Sequence, residues 1–279
     1  MRAEMGARMA QELDAEELWR SVLAGEHPEL RRGRWLHRLI PSNPRCKMCN
    51  APFGAPGMLY MRLRGRGPSN LNPRICNVCE RFAATHPGGA EIELSMLFAD
   101  VRGSTGLAEQ IRPADFSRLM NRFYKVATAV LLETEALIDK FVGDEVVALY
   151  VPVMAGPEHP SAAVRAGQEL LRATGHGDPG GPWLPIGIGI HTGTAFVGSV
   201  GGQGVTDITA LGDAVNTTAR MASAAGPGEA LVSEATCAAA GLATGGMEQR
   251  RLELRGRSEP VNVRVLRVAP ASPEDGETD

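Results

Sequence analysis

An abrupt change of pattern at His86-Pro87-Gly88-Gly89 most constrains how this chain can fold. Before it, four cysteines lie in a segment rich in Arg, Pro and Gly; after it, apolar runs alternate with amphipathic patterns. We predict an N-terminal module over 1–87, a domain over 88–270 and a disordered tail over 271–279. The alternation predicts an α/β or α+β domain built on a central sheet.

The second domain contains recognisable strand and helix signals. The apolar run Ile92–Ala99 predicts a buried strand, and Pro113 predicts a helix start. Two apolar runs joined at Gly143-Asp144 predict a β-hairpin with Asp144 near its tip. Further helices are expected over 161–174 and 213–225, further strands over 185–191 and 195–200, and short strands at the end.

The first 87 residues have fewer such signals. A helix is expected over 9–24, with Ala15, Leu18 and Val22 on one stripe. Residues 31–68 have too little periodicity for long elements, so this segment needs an external staple.

Two Cys-x-x-Cys pairs, separated by 26 residues, supply that staple. Four thiolates form a tetrahedral zinc site, so Cys46, Cys49, Cys76 and Cys79 are predicted to bind Zn²⁺. The gap is longer than usual for such sites, which leaves redox-active thiols as an alternative. Cysteine ligands alone also leave an iron–sulfur cluster open. Cys237 is expected to be a small buried hydrophobe.

Charge and hydropathy exclude several function classes. The formal net charge is −3, which gives no global field for nucleic acid. Arginines cluster around the cysteines, but charge runs alone are weak evidence, and we interpret them as a solvated face without nucleic-acid binding. No apolar run reaches 18 residues and the start is acidic and polar, so we expect a cytoplasmic protein without a membrane segment.

Two carboxylates are candidate metal ligands. Asp100 ends an apolar strand, and the Gly103-Ser104-Thr105 loop after it can turn backbone N–H groups toward phosphate; ordinary turn chemistry is the alternative. With Asp144 on the hairpin tip, the pair could hold two Mg²⁺ ions for phosphoryl or nucleotidyl transfer. Lys140, in an otherwise apolar strand, is either a snorkelling residue or a buried donor to a base.

A third motif places Asn216 and Arg220 one helical turn apart, on one face. They could grip a ribose and a phosphate, although such pairs are common by chance. A Gly-Lys-Ser/Thr phosphate loop is absent from the sequence, which excludes P-loop NTPases.

The chain from about Glu91 to Val268 resembles the catalytic domain of class III nucleotidyl cyclases. FADVRGST, KFVGDE, GIHTG and TALGDAVNTTAR occur in the family's order, and LRGRSEPV near the end also fits. The resemblance implies a ferredoxin-like cyclase fold with a mostly antiparallel sheet flanked by helices. It also implies an adenylate cyclase that converts ATP to cyclic AMP and pyrophosphate in intracellular signalling.

The resemblance assigns roles to matching positions. Asp100 and Asp144 would bind two Mg²⁺ or Mn²⁺ ions, helped by the Val101 carbonyl, and Lys140 and Thr209 would read the adenine. Guanylate cyclases of this family typically carry an acidic residue and a cysteine at those last two positions, which favours ATP over GTP.

The remaining roles concern the sugar and the phosphates. Asn216 would orient the ribose and Arg220 would neutralise charge on the α-phosphate. Arg255 stands where the family has a triphosphate-binding lysine, a departure that replaces a point charge with a planar fork. His191 is interpreted as structural, since an imidazole readily serves in packing or hydrogen bonding.

The resemblance further implies a homodimer, because the family's sites combine metal carboxylates from one subunit with base, ribose and transition-state residues from the other. Three rival interpretations remain. They are a catalytically silent dimerisation module, a guanylate cyclase, and a diguanylate cyclase, in which the Asn216/Arg220 motif would have no place.

Overall fold

The computed structural model describes residues 14–40, 43–69, 73–202, 205–254 and 259–269, with backbone alone at 83–84, 201–202 and 205–207. The expected tail, residues 9–13 of the expected first helix, and Arg255 lie outside this part of the chain. The helices are α1 (14–23), α2 (Pro28–Arg38), α3 (Gly57–Leu63), α4 (Asn77–Thr85), α5 (Ser104–Gln110), α6 (Pro113–Glu133), α7 (Pro152–Ala155), α8 (His159–Ala173), α9 (Asp213–Ala224) and α10 (Glu234–Ala239).

The strands form one eight-stranded sheet of order β2-β3-β1-β4-β6-β8-β7, with β5 paired to β4 off this path. Their bounds are β1 (Gly88–Val101), β2 (Leu137–Val142), β3 (Glu145–Tyr150), β4 (Ile186–Gly202), β5 (Val205–Leu211), β6 (Glu229–Ser233), β7 (Glu248–Leu252) and β8 (Val261–Leu266). Among the pairings with a described register, only β4 with β6 is parallel. The predicted α+β architecture on a mostly antiparallel central sheet is therefore confirmed.

The chain divides into two compact units that are not contiguous in sequence. Unit 1 comprises Met1–Glu93, Val151–Gly156 and Thr194–Gly212, and unit 2 comprises Leu94–Tyr150, Pro157–Gly193 and Asp213–Asp279. No helix in the described ranges is both long and apolar enough to cross a membrane.

Unit 2 has a conventional sheet-and-helix core. Met120, Phe123, Ala127 and Leu131 are buried along one stripe of α6, as the helical period requires. Strand β1 is buried at nearly every position from Leu94 to Val101, which explains why this stretch of sequence is a continuous apolar run.

Helix α9 approaches β4 closely at two glycines. A Cβ on Gly189 would lie 2.4 Å from the Ala222 nitrogen and 2.5 Å from the Thr218 carbonyl oxygen. A Cβ on Gly187 would lie 2.8 Å from the Ala225 carbonyl oxygen. Only glycine permits this approach, which fixes the position of α9 on the sheet.

Unit 1 is organised around the cysteines. Three of the four are buried together with Ala51, Phe53, Met61 and Ile75 in one cluster. The Trp19 indole of α1 donates to the His86 carbonyl at 3.2 Å and stands 5.7 Å, centroid to centroid, from Phe82 of α4. A Cβ on Gly89 would lie 2.4 Å from the Val197 carbonyl oxygen, so the glycines at the predicted boundary permit a close strand crossing.

Three expectations from the sequence need correction. Residues 31–68 contain α2 and α3, although too little periodicity for long elements was expected. The two strands expected over 185–191 and 195–200 are one strand, β4, with no break at Thr192-Gly193. Strand β5 was not anticipated; it pairs with β4 as an antiparallel ribbon.

Candidate active site and cysteine centre

The carboxylates of Asp100 and Asp144 meet at one end of the sheet. Antiparallel pairing of β1 with β3 sets Asp100 opposite Glu145. The Val101 N–H donates to the Asp144 carbonyl at 3.3 Å, which holds the hairpin turn against the end of β1. Two residues that lie 44 positions apart in the sequence are thereby brought together.

Each carboxylate has a side-chain donor beside it. The Arg102 guanidinium pairs with Asp100, and the Ser104 hydroxyl donates to Asp144. Ser104 begins α5 directly after Gly103, whose φ of 71° lies in the left-handed region. The Tyr124 hydroxyl of α6 donates to the Gly143 carbonyl and so steadies the hairpin tip.

The accumulated negative charge perturbs these carboxyl groups. Burial raises the pKa of Asp100, the Arg102 guanidinium opposes this, and Asp144 adds to it. Burial, then the charges of Asp100 and Asp144, raise the pKa of Glu145 to about 7. Three acidic groups with one arginine at a strand end form a site that a cation would stabilise.

Arg102 also connects this site to α9. Its Nη1 donates to the carbonyls of Ser223 at 3.0 Å and Ala225 at 3.3 Å, at the carboxyl end of α9. Its Nε donates to the Asp100 carbonyl at 3.2 Å. One largely buried guanidinium therefore joins the strand end that bears Asp100 to the end of a helix.

Asp100 and Asp144 fit a magnesium or manganese site in which the substrate supplies some of the ligands. Mg²⁺ is commonly held by one or two carboxylates, with water and substrate phosphates filling its other positions. Among the described residues, only the cysteines gather three or more Cys, His, Asp or Glu ligands tightly enough to bind a metal by themselves. Bound metal would accordingly depend on the substrate.

Asn216 and Arg220 share one face of α9, as the sequence predicts. Asn216 is exposed and Arg220 half-buried. Neither is hydrogen-bonded or ion-paired to any residue that the structure describes. Because Gly187 and Gly189 fix α9 on β4, both side chains project from a rigid helix.

The two predicted base-reading residues differ in environment. Lys140 lies on the edge strand β2, its side chain is 44% exposed, and its Nζ is 3.5 Å from an Asp139 oxygen. The Lys140 side chain is therefore exposed in the single chain. Thr209 is 6% exposed and lies opposite Gly198 in the β4–β5 ribbon. His191 bonds through Nδ1 to the Ser233 hydroxyl at 2.9 Å, and Ser233 caps α10.

The four cysteines converge as one tight group. Their sulfurs all lie within 4.8 Å of one another, and the Cys46–Cys79 and Cys49–Cys76 pairs are 3.9 and 3.6 Å apart. Zinc–sulfur bonds of about 2.3 Å place tetrahedral ligands ~3.8 Å apart. Hydrogen bonds from the neighbouring thiols, that of Cys46 first, lower the pKa of Cys76 and favour its thiolate.

Backbone amides and two arginines support this group. The N–H groups of Cys76 and Cys79 donate to Cys46 and Cys76 sulfurs at 3.2 and 3.4 Å. Arg34 donates to the Met48 carbonyl at 2.6 Å within the first Cys-x-x-Cys turn, and also to the Val153 carbonyl at 2.7 Å. Arg66 Nη1 is 3.6 Å from the Cys49 sulfur.

Sequence reasoning missed several of these residues. Arg34 and Arg66 were assigned to a solvated face, yet they contact the cysteine turns, and only a three-dimensional fold distinguishes them from exposed Arg31 or Arg38. Arg102 and Glu145 lie inside the motifs FADVRGST and KFVGDE, but no role was predicted for either residue. Their adjacency to Asp100 and Asp144 was the available signal.

Comparison with known proteins agrees with this geometry. The family model described as the adenylate and guanylate cyclase catalytic domain matches residues 90–265. An adenylate cyclase from Anabaena cylindrica is 32% identical over 137 residues, covering 46% of this chain and 26% of that protein. Adenylate cyclase 1 of Rhizobium meliloti is 31% identical over 134 residues, covering 46% of this chain and 20% of that protein. The chain thus spans about a quarter of the length of these relatives.

Solved structures show the same likeness. The guanylyl cyclase Cya2 aligns with a TM-score of 0.58 at 28% identity, covering 67% of this chain and 96% of that one. The adenylyl cyclase CyaB from P. aeruginosa aligns with a TM-score of 0.55 at 28% identity, covering 64% and 96%. With its family match, its sheet and its paired strand-end aspartates, the chain belongs to the adenylate and guanylate cyclase catalytic domain family.

Proposed function

We propose that this chain converts ATP to 3′,5′-cyclic AMP and pyrophosphate. The observation that carries the proposal is the pair Asp100 and Asp144, joined at one sheet end by the Val101–Asp144 hydrogen bond. Such a pair supplies hard oxygen ligands where a triphosphate can complete the coordination. Mg²⁺ or Mn²⁺ bound there would polarise the 3′-hydroxyl and the phosphate oxygens.

The protein's own residues bind and orient the substrate. N–H groups of the Gly103-Ser104-Thr105 loop approach phosphate oxygens, and the Val101 carbonyl adds an oxygen beside the aspartates. Asn216 holds the ribose so that its 3′-oxygen faces the α-phosphorus, and Arg220 neutralises the charge that grows as pyrophosphate leaves. Positioning and electrostatics account for most of the rate enhancement in such chemistry. Arg255 would contact the triphosphate.

Lys140 and Thr209 favour adenine. A lysine donates to adenine N1, and a threonine hydroxyl accepts from the exocyclic amine. At these two positions guanine has a donor where adenine has an acceptor, and an acceptor where adenine has a donor. GTP would therefore leave polar groups of the closed site unpaired, which can reduce the rate of cyclisation ~10⁴-fold relative to ATP. GTP is the alternative substrate, since both adenylyl and guanylyl cyclases are among the structural relatives.

A homodimer would complete each site. Lys140, exposed at a sheet edge, and Asn216 and Arg220, projecting from α9 without described partners, are placed to meet substrate that the partner's aspartates bind. Two-fold symmetry then gives two equivalent sites.

The test is product formation by the purified full chain with ATP or GTP, each with Mg²⁺ or Mn²⁺. We expect cyclic AMP from ATP, at least tenfold less cyclic GMP, and loss of at least 100-fold in Asp144→Asn. Glu158→Gln, which changes an exposed acid outside the site, is the control. Cyclic GMP as the main product would favour the guanylate alternative, and full activity in Asp144→Asn would contradict the proposal.

For the cysteine centre we propose a single structural Zn²⁺. Two of the sulfur separations, 3.9 and 3.6 Å, are close to the ~3.8 Å expected around one tetrahedral ion with zinc–sulfur bonds of about 2.3 Å. Elemental analysis should give one zinc per chain and a colourless protein. Visible absorption bands with stoichiometric iron would contradict this assignment.

A further inference from the structure

Unit 1 contains a concave apolar cavity beside the cysteine centre. Its volume is about 950 Å³, and α1, α2, α3 and α4 all contribute to its walls. Small-molecule sites are typically apolar clefts of about 300–1,000 Å³ with a few polar groups. Leu30, Leu36, Ile40, Met61 and Phe82 line this cavity, with Arg64 among its few charged residues.

The cavity lies within a face that the described residues do not cover. Trp35 and Leu36 of α2, Leu39 directly after it, and Leu59, Tyr60 and Leu63 of α3 are all exposed, and Leu63 is 83% exposed. They make up most of the large hydrophobic side chains that are exposed in the described ranges. Contiguous exposed apolar surface of this kind marks a binding surface.

The charge around the cavity indicates an anionic occupant. The charged side chains that line the cavity are those of Arg64, Arg66 and Glu29, and residues 27–81 as a whole hold eleven Arg or Lys and only two Asp or Glu. The Arg64 guanidinium lies 5.0 Å from the Tyr60 ring centroid, and it forms no ion pair in the described part of the chain. An arginine so placed can receive a carboxylate.

We propose that this cavity binds an anionic amphiphile of the long-chain fatty-acid class. The carboxylate pairs with Arg64, and the hydrocarbon body enters between α2 and α3 toward Met61, which is only 2% exposed. A flat membrane surface would not reach so deeply buried a residue. Cys49 and Cys79 also line the cavity, so the occupant would touch the cysteine centre. This inference does not depend on the proposed cyclase activity.

The experiment titrates oleate, below its micelle concentration, into the metal-loaded full chain by calorimetry. We expect saturable binding of one oleate per chain. Arg64→Glu should weaken binding at least tenfold, while Arg62→Glu, an equally exposed charge reversal outside the cavity, should change it less than twofold. Leu36→Trp, which fills the cavity mouth, should weaken binding at least tenfold, and Leu63→Trp should not. Unchanged circular dichroism and metal content verify that each variant is folded.

Several outcomes would overturn the proposal. Absence of saturable oleate binding, or binding indifferent to both Arg64→Glu and Leu36→Trp, removes the site. Equal affinity for a dodecyltrimethylammonium cation removes the charge argument. Cosedimentation with phosphatidylglycerol vesicles that Leu36→Trp leaves unchanged, without oleate binding, would make this face a membrane surface instead.

Discussion

At the scale of single residues, Arg102 links two groups of predicted site residues within one chain. It pairs with Asp100, a predicted metal ligand, and donates to two carbonyls at the end of α9, the helix of Asn216 and Arg220. Arginine suits this task because its planar fork offers several donors in fixed directions. Its role is to position other groups, since it need not touch the substrate.

We predict that Arg102→Gln lowers kcat about tenfold and changes KM for ATP less than about threefold. The reason is that a displaced Asp100 or α9 affects the transition state more than initial substrate binding. Steady-state kinetics measure the changes in kcat and in KM separately. Arg112→Gln, at an exposed arginine paired with Asp115, should be neutral. Wild-type kcat in Arg102→Gln would refute the positioning role.

Glu229 is a second residue whose charge has a measurable consequence. Arg250 grips its carboxylate bidentately at 2.7 Å for both bonds, Arg267 also donates to it, and the Gly226 N–H donates at 2.9 Å. Hydrogen bonds from Arg250 foremost lower its pKa from 4.5 to about 2. A depressed folded-state pKa stabilises the fold above pH 4.5, and that stability is lost as pH falls toward 2.

Glu229→Gln should therefore lower the free energy of unfolding by about 2 kcal/mol at pH 7. The difference from wild type should shrink steadily between pH 5 and pH 2. Urea denaturation at several pH values measures it, with the exposed Glu253→Gln as a control that stays within about 0.5 kcal/mol. A difference that is constant with pH would mean that the ion pairs are not its source.

At the scale of elements, the packing of α9 on β4 controls where Asn216 and Arg220 project. We predict that Gly189→Ala lowers the free energy of unfolding by about 1–3 kcal/mol, because its Cβ would overlap backbone atoms of α9. Cyclase activity should fall with it. Gly106→Ala in α5, where a Cβ meets no described atom within 4 Å, should be neutral or slightly stabilising. Equal melting temperatures for the two variants would contradict the packing argument.

Elements with strong local signals were predictable from the sequence. The β2–β3 hairpin, α6, α8 and α9 lie within a few residues of their predicted positions, because hydrophobic period, Pro and Gly mark them locally. Helices α2 and α3 were not predicted, because most of their large apolar residues are exposed and Met61 alone among them is fully buried, which leaves no continuous apolar stripe in the sequence. Strand β5 and the continuity of β4 depend on pairing between strands, which local sequence does not encode.

The candidate site was predictable to a similar degree. Asp100 and Asp144 were singled out because each ends an apolar run, and the structure brings them together. The Arg102 link to Ser223 and Ala225 spans more than 120 residues, so no motif could reveal it. The exposure of Lys140 follows from its place on an edge strand, a property of sheet order alone.

At the scale of the whole molecule, the two compact units distribute the predicted site residues in a way that the sequence did not indicate. The segment Thr194–Gly212, which carries Thr209, belongs to the same unit as the four cysteines. Within that unit, Gly88 and Gly89 lie against Gly198, the residue that pairs with Thr209. The four-cysteine cluster and the predicted base-reading threonine therefore belong to one folded unit.

We predict that Cys76→Ser removes the bound metal and lowers cyclase activity at least tenfold, because unit 1 loses its staple. Elemental analysis and the product assay measure the two effects. Cys237→Ser changes a buried cysteine in α10 and should keep the metal. Retention of one metal per chain in Cys76→Ser would show that the four thiols are not its ligands.

We predict that Asp100 and Asp144 of one copy act on the same ATP as Asn216 and Arg220 of another. The most direct measurement is cyclic AMP formation by Asp100→Ala and Arg220→Ala chains, alone and mixed. Each variant alone should be inactive, whereas an equimolar mixture should recover roughly a quarter of wild-type activity, since half the chains pair as heterodimers with one intact site. A mixture as inactive as its components, although size-exclusion chromatography shows that they exchange subunits, would contradict the claim.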